Sequence, residues 1–209
     1  MDEQPVPIRH DTDARSIAVG EAPLDHLFVI PFSPRIPSPE KTVASIASFF
    51  RSQPGVFNSW KIVLAEESGG GREQGEVLQG LVARFGDRVL RFLVPRAVFG
   101  ELLPSVTARF FARTYTFIES GVVLPESHEM QRALAVVAHG EVAVALFSAR
   151  TSRSFTRATW RPLARFLLGA RLPTPPFGLR ILSPAALSAL ATSCRGSGML
   201  FDAELAIQT

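Results

Sequence analysis

Two acidic segments stand where apolar runs of the chain stop. Glu66-Glu67-Ser68-Gly69-Gly70-Gly71 follows the run Ile62 to Ala65, and Glu119-Ser120-Gly121 follows Tyr115 to Ile118. Hard divalent cations take oxygen ligands, normally carboxylates, and the carboxyl ends of strands in open α/β sheets are where ligands gather. Glu66, Glu67 and Glu119 are therefore the residues to examine for binding. A solvated acidic loop flanked by glycine is the competing reading of Glu66 and Glu67. Arg150 and Arg157 follow a later apolar run, with Arg96 and Arg153 also near such ends. Guanidinium forks bind phosphate oxygens in pairs, so these arginines suit an anionic group.

Other groupings fail on spacing. Gly69 to Gly71 is not followed by Lys-Ser/Thr, so it is not a P-loop. His26, His128 and His139 are not spaced to share a metal on one helix. Ser68 lies in no nucleophile-elbow motif. Asp202 and Glu204 are two apart and diverge on a helix, where capping a loop is role enough for them. The one cysteine, Cys194, excludes an internal disulfide and a multi-cysteine zinc site.

The elements that must position these residues follow from hydrophobic periodicity. Short apolar runs alternate with helical patterns, the signature of strand and crossover-helix units in a mainly parallel sheet. Strands are expected at Leu27 to Ile30, Ile62 to Ala65, Val89 to Val94, Tyr115 to Ile118 and Val142 to Phe147. Their near-continuous apolar character fits strands covered on both faces. Helices are expected from Ser38-Pro39-Glu40 to about Arg51, over Glu73 to Phe85 with Gly86 as terminator, over Ser105 to Arg113, and over Ser127 to Ala138. Further on come a helix around Ala158 to Leu168, a Pro-rich loop Pro173 to Pro176, a short extended piece and a helix capped by Ser183 with Pro184.

The chain has 209 residues, 46% hydrophobic and 20% charged, enough for one domain with a sizeable core. Residues 1–25 carry many charges and few large apolar groups, so they read as a flexible N-terminal arm ahead of a single domain over 26–209. No run approaches the roughly 18 apolar residues that span a bilayer. Met1 to His10 is acidic and proline-containing, unlike a secretory signal or a transit peptide. The reading is an intracellular protein, cytoplasmic or organellar, with mitochondria included. The formal charge is only +3, yet of 22 basic residues all but Lys41 and Lys61 are arginine. Arginine favours interfaces and anions, although codon composition is the simpler account of the skew. The basic residues are scattered, and this leaves nucleic-acid binding open without a motif to support it.

Val29-Ile30-Pro31, Ser148-Ala149-Arg150, Arg157, Phe177-Gly178-Leu179-Arg180 and Phe201-Asp202-Ala203-Glu204-Leu205 follow one another in an order that resembles the family 2 glycosyltransferases that make dolichyl-phosphate glucose and mannose. Val29-Ile30-Pro31 is similar to the family's first strand, Ser148-Ala149-Arg150 to its Gly-Ser-Arg, and Arg157 to an arginine that follows. Phe177-Gly178-Leu179-Arg180 is similar to its Gly-Phe-Lys segment, and Phe201-Asp202-Ala203-Glu204-Leu205 to its Phe-Asp-x-Glu-Leu signature. The resemblance covers Leu27 to Leu205 in order. It implies a nucleotide-diphospho-sugar transferase (GT-A) fold: three layers, α/β, with a mainly parallel central sheet. It also implies a nucleotide sugar held by Mg²⁺ or Mn²⁺ and attacked by a lipid phosphate.

The motifs are degenerate. The family's Asp-Asp-Gly-Ser, which holds base and ribose, corresponds to Glu66-Glu67-Ser68-Gly69. Its Asp-x-Asp metal motif falls on Glu119-Ser120-Gly121, one carboxylate short. Its Asn-x-Gly-Lys-Gly is Ala97-Val98-Phe99-Gly100-Glu101 here, a carboxylate where a cation is wanted. Ser33-Pro34-Arg35 replaces Tyr-Asn-Glu, and the family's aspartate before Gly-Phe falls near Thr174. The sequence thus favours an inactive relative that needs no cofactor. It would act as a structural or regulatory subunit and meet other proteins through its arm and arginine-bearing surface. The alternative is an active enzyme using Mg²⁺ or Mn²⁺ and a nucleotide sugar, or an arginine-based site, with Glu119, Arg150, Arg157 and Asp202 as remnant catalytic groups.

Overall fold

The computed structural model describes residues 23–32, 39–53, 58–69, 71–122, 124–148 and 177–193. In chain order they form β1 (Leu24–Phe32), α1 (Glu40–Arg51), β2 (Trp60–Glu67), α2 (Arg72–Phe85), a 3₁₀ turn at Gly86–Arg88, β3 (Val89–Val94), α3 (Phe99–Thr107) and β4 (Ala112–Ile118). Then follow α4 (Ser127–Ala138), β5 (Val144–Ser148), β6 (Phe177–Leu182) and α5 (Pro184–Ser193). The six strands lie in the order β3-β2-β1-β4-β6-β5. β1 to β4 run parallel, and β6 is antiparallel to both β4 and β5.

Both faces of this sheet are buried, as its apolar runs require. On one face Leu27, Val29, Val63, Ala65, Phe92 and Phe117 meet Phe99, Leu102 and Val106 of α3 and Leu187 and Leu190 of α5. On the other, Phe28, Ile30, Ile62 and Leu64 meet Val43, Ile46 and Phe50 of α1, Leu78 and Leu81 of α2, and Met130 and Leu134 of α4. Each fully buried side chain of this size contributes roughly 1.5–3 kcal/mol. The three-layer, mainly parallel α/β architecture read from the sequence is the one observed.

Two expected helix ends are built as the sequence indicated. Gly86 closes α2 at φ +60°, a left-handed backbone that suits glycine. At α5 the Ala186 N–H donates to Ser183 Oγ at 3.2 Å, the cap read from Ser183-Pro184.

The largest departure is α3, which spans Phe99–Thr107 instead of Ser105 to Arg113. Pro104 lies inside the helix. Burial of Phe99, Leu102, Leu103 and Val106 against the sheet outweighs the roughly 3 kcal/mol that an interior proline costs. The chain then turns. Tyr115 Oη donates to the Phe110 carbonyl at 2.8 Å and accepts from the Ala112 N–H at 3.1 Å, which fixes Phe110–Ala112 as the entry to β4.

Smaller shifts fall at strand ends, and in β1 ladder hydrogen bonds carry the strand past its apolar core. β1 begins at Leu24, so Leu24 and Asp25, read as the end of the arm, open the sheet. The Asp25 carboxylate accepts from the N–H of Asn58 and from the N–H and Oγ of Ser59, which ties β1 to β2. β5 starts at Val144, two residues later than expected, and Val142 is exposed. The arm over residues 1–22, Ser38, the expected helix Ala158 to Leu168 and the loop Pro173 to Pro176 lie outside the described residues.

Candidate functional site

Parallel pairing carries the carboxyl ends of β1, β2, β3 and β4 to one edge of the sheet. Phe32 lies beside Glu66, and Glu67 beside Val94. Glu119, directly after β4, stands on the far side of β1 from Glu66 and Glu67, about 10 Å away across two strand spacings. The three carboxylates picked from the sequence therefore share one edge. Arg150, Arg157 and Asp202 lie outside the described residues.

Glu66 is turned inward. Its side chain is on the α1/α2 face with Ile62 and Leu64, and Arg91, in register with Leu64, reaches along the sheet to it. Arg91 Nε lies 2.5 Å from Glu66 Oε2, with the carboxylate buried and the arginine 44% exposed. Glu67 is half-buried, on the opposite face. The turn after it is tied down, because the N–H and Oγ of Ser68 both donate to the Val94 carbonyl, at 2.8 and 2.9 Å. Gly69 completes that turn at φ +94°.

Glu119 is held differently. Its N–H donates to the Gly178 carbonyl of β6, and its own carbonyl accepts from the Val122 N–H, closing a turn. Gly121 sits in that turn at φ +83°, with its N–H donating to Oγ1 of buried Thr42 in α1. Arg180 Nη2 donates to Glu119 Oε1 at 3.4 Å. The arginine side chain is 1% exposed while the glutamate side chain is 39% exposed. Its guanidinium carbon is 4.0 Å from the centroid of the Phe99 ring. Sequence reasoning noted Arg180 within Phe177-Gly178-Leu179-Arg180 without giving it a role. The lone cation in the otherwise apolar strand FGLRIL was the available signal.

Glu101 lies in the first turn of α3, where a carboxylate complements the helix dipole, and pairs with Arg96 at 3.6 Å on the surface. Gln74, in the first turn of α2, was not singled out from sequence. It shares the inward face with Leu78 and Leu81, and neither atom of its buried amide has a hydrogen-bond partner.

The histidines do not gather. His26 is buried at the opposite end of the sheet, its Nδ1 hydrogen-bonded to Thr114 Oγ1. Burial lowers its pKa to about 4; the Asp25 carboxylate opposes that shift and Arg113 adds to it. His128 and His139 are at opposite ends of α4.

Among the described residues the donors for a divalent cation are few: the β4 turn supplies one carboxylate, Glu119, Gly121 supplies backbone only, and a buried guanidinium already engages Glu119. Among the described residues no group of three or more His, Cys, Asp or Glu is placed to hold a metal.

The strand order, the helices on both faces and the acidic strand ends define a GT-A nucleotide-sugar transferase-like fold. Solved structures agree. The chain is similar to glucosyl-3-phosphoglycerate synthase from Mycobacterium tuberculosis in complex with Mn²⁺, UDP-glucose and phosphoglyceric acid, at 20% identity and a TM-score of 0.55 over 78% of this chain and 57% of that one. It is also similar to the mannosyltransferase PcManGT from Pyrobaculum calidifontis in complex with GDP-Man and Mn²⁺, at 13% identity and a TM-score of 0.57 over 90% of this chain and 53% of that one. The chain thus spans a little over half the length of these structures, and the likeness is one of fold. No protein-family model and no curated protein sequence matches it. No helix among the described residues is long and apolar enough to cross a membrane.

Proposed function

We propose that this chain is a catalytically inactive glycosyltransferase-like protein serving as a structural or regulatory subunit of a larger assembly. Within the GT-A fold, the ordered segments from Val29-Ile30-Pro31 to Phe201-Asp202-Ala203-Glu204-Leu205 favour kinship with the dolichyl-phosphate sugar synthases. Fold does not fix function, which resides in site residues.

The observation that carries the reading is Gly121. It occupies a left-handed turn position at φ +83° with its N–H bound to Thr42, so the β4 turn is built around glycine and carries a single carboxylate. A diphosphate leaving group needs positive charge nearby, and one carboxylate is a poor site for Mg²⁺ or Mn²⁺. Glu101 adds a carboxylate at the helix start, within the segment where the resemblance calls for a lysine. Both features act against transfer.

The assembly is argued from the charged N-terminal arm and the excess of arginine, the cation enriched at interfaces. The expected result is no transfer and no hydrolysis of UDP- or GDP-sugars with Mg²⁺ or Mn²⁺ and a polyprenyl phosphate. Native purification should return the chain with other polypeptides. Sugar turnover abolished by Arg150→Ala would establish an arginine-based enzyme in place of the inactive subunit. A free monomer by light scattering of natively purified material would remove the subunit role.

A further inference from the structure

Resting on that reading and deepening it, we infer that Arg180 is a built-in counter-ion for Glu119 and that this pair excludes divalent cations from the end of β4. Antiparallel pairing sets Arg180 opposite Phe117, on the sheet face covered by α3. There the guanidinium lies over Phe99, whose ring favours a desolvated cation, and contacts the Glu119 carboxylate from within the protein. Glu119 turns its other side toward solvent, being 39% exposed.

Within this pair the charges cancel. Glu119 supplies one negative charge, Arg180 one positive charge, and Gly121 none. A guanidinium stays protonated in proteins, so the positive charge cannot be shed to admit a metal. A divalent ion would have to share the carboxylate with a guanidinium that already lies 3.4 Å from one of its oxygens. Drawing Glu119 toward the metal would weaken the pairing of a buried cation, a cost on the order of 10²-fold in an equilibrium constant. The arrangement holds the carboxylate for the fold and away from a ligand.

The full chain and three variants, Glu119→Gln, Arg180→Met and the double variant, are titrated with MnCl₂ by electron paramagnetic resonance and melted with either EDTA or millimolar Mn²⁺. The wild type should bind no Mn²⁺ through Glu119 and melt identically in both conditions. Glu119→Gln should raise the unfolding constant by roughly 10- to 100-fold, because it removes a negative charge that faces a buried cation. Arg180→Met in that background should recover most of the loss. Arg180→Met alone should become stabilised by Mn²⁺, since the carboxylate is then released.

Saturable Mn²⁺ binding to the wild type that Glu119→Gln abolishes would overturn the inference, as would additive effects of the two single changes. Should Arg180→Met fail to fold, the wild-type and Glu119→Gln titrations still decide. Sugar turnover without metal would overturn the inactive reading while leaving this inference standing. Mn²⁺ bound through Glu119 without turnover would do the reverse.

Discussion

The two buried ion pairs at the carboxyl end of the sheet are opposites. At the end of β2 the carboxylate is inside and the arginine outside: Glu66 is buried and Arg91 is 44% exposed. At the end of β4 the arginine is inside and the carboxylate outside, at 1% and 39%. A buried charge stripped of its partner is costly, whereas a solvent-reaching partner left alone can hydrate. Loss of the exposed member should therefore be the more damaging change in each pair. The buried members also differ, since a carboxylate can become neutral by taking a proton while a guanidinium cannot lose one. The β4 corner is thus the more rigidly charged of the two.

The largest expected effect tests this asymmetry at β2. Arg91→Met leaves Glu66 buried without its partner and should cost about 3 kcal/mol, measured by urea denaturation. Glu66→Gln leaves only a half-exposed arginine and should cost less than half as much. Equal losses from the two changes would mean that burial does not grade these pairs.

A titratable buried group at the opposite end of the sheet provides the next comparison. Burial holds His26 neutral, with its pKa lowered from 6.5 to about 4. In the unfolded chain histidine takes up its proton near pH 6.5, so between there and pH 4 the unfolded state binds more protons. Stability should be full above pH 6.5 and fall by roughly 3 kcal/mol as the pH is lowered to 4. Asp25, the preceding residue of β1 and held by Ser59, acts in the same direction at lower pH. Burial raises its pKa, but the bonds from Ser59 and Asn58 and the charge of Arg113 outweigh that and leave it lowered. His26→Leu should flatten the profile between pH 4 and 6.5. An unchanged slope would show that other groups set it.

The contrast between these pairs was not legible in the sequence, although their addresses were. Ile62 to Ala65 and Tyr115 to Ile118 announced buried strands because nothing polar interrupts them, and that placed Glu66, Glu67 and Glu119 at one edge of the sheet. Which carboxylate would be consumed depends on partners 25 and 61 residues away, and only strand register decides those contacts. Arg91 lies within an apolar strand just as Arg180 does, and periodicity alone cannot say which one folds inward. The helix expected over Ser105 to Arg113 misled in a different way. Packing of Phe99, Leu102, Leu103 and Val106 on the sheet set α3 six residues earlier, with Pro104 inside it.

Buried groups without any partner should show the reverse of an ion pair, gaining from removal. The Gln74 amide and the Thr116 hydroxyl are buried and unbonded. Replacing an unsatisfied polar group by an apolar one of similar shape recovers its desolvation cost, typically about 1–3 kcal/mol before losses from imperfect packing. Gln74→Leu and Thr116→Val should each raise stability by about 1 kcal/mol, read as a higher denaturant midpoint at constant slope. Destabilisation by Gln74→Leu would mean that the amide has a bound water or another partner at this edge.

The smallest effect belongs to the third arginine–glutamate pair of this edge, Arg96 with Glu101, which completes the burial series. Both side chains reach solvent, at 70% and 47% exposure, and the closest approach is 3.6 Å. Water screens such a pair, and holding two long side chains together costs entropy, so its net worth is a few tenths of a kcal/mol. Glu101 gains a similar amount from the positive end of α3, where it lies in the first turn. Glu101→Gln should therefore lower stability by less than about 1 kcal/mol, and most of that difference should vanish in 0.5 M NaCl as screening removes both contributions. Glu66→Gln and Glu119→Gln, measured alongside, should keep their differences in salt because protein shields those pairs. A salt-insensitive loss at Glu101 would place its carboxylate in a desolvated contact. A cation at that position would then disturb the fold as well as reverse the local charge.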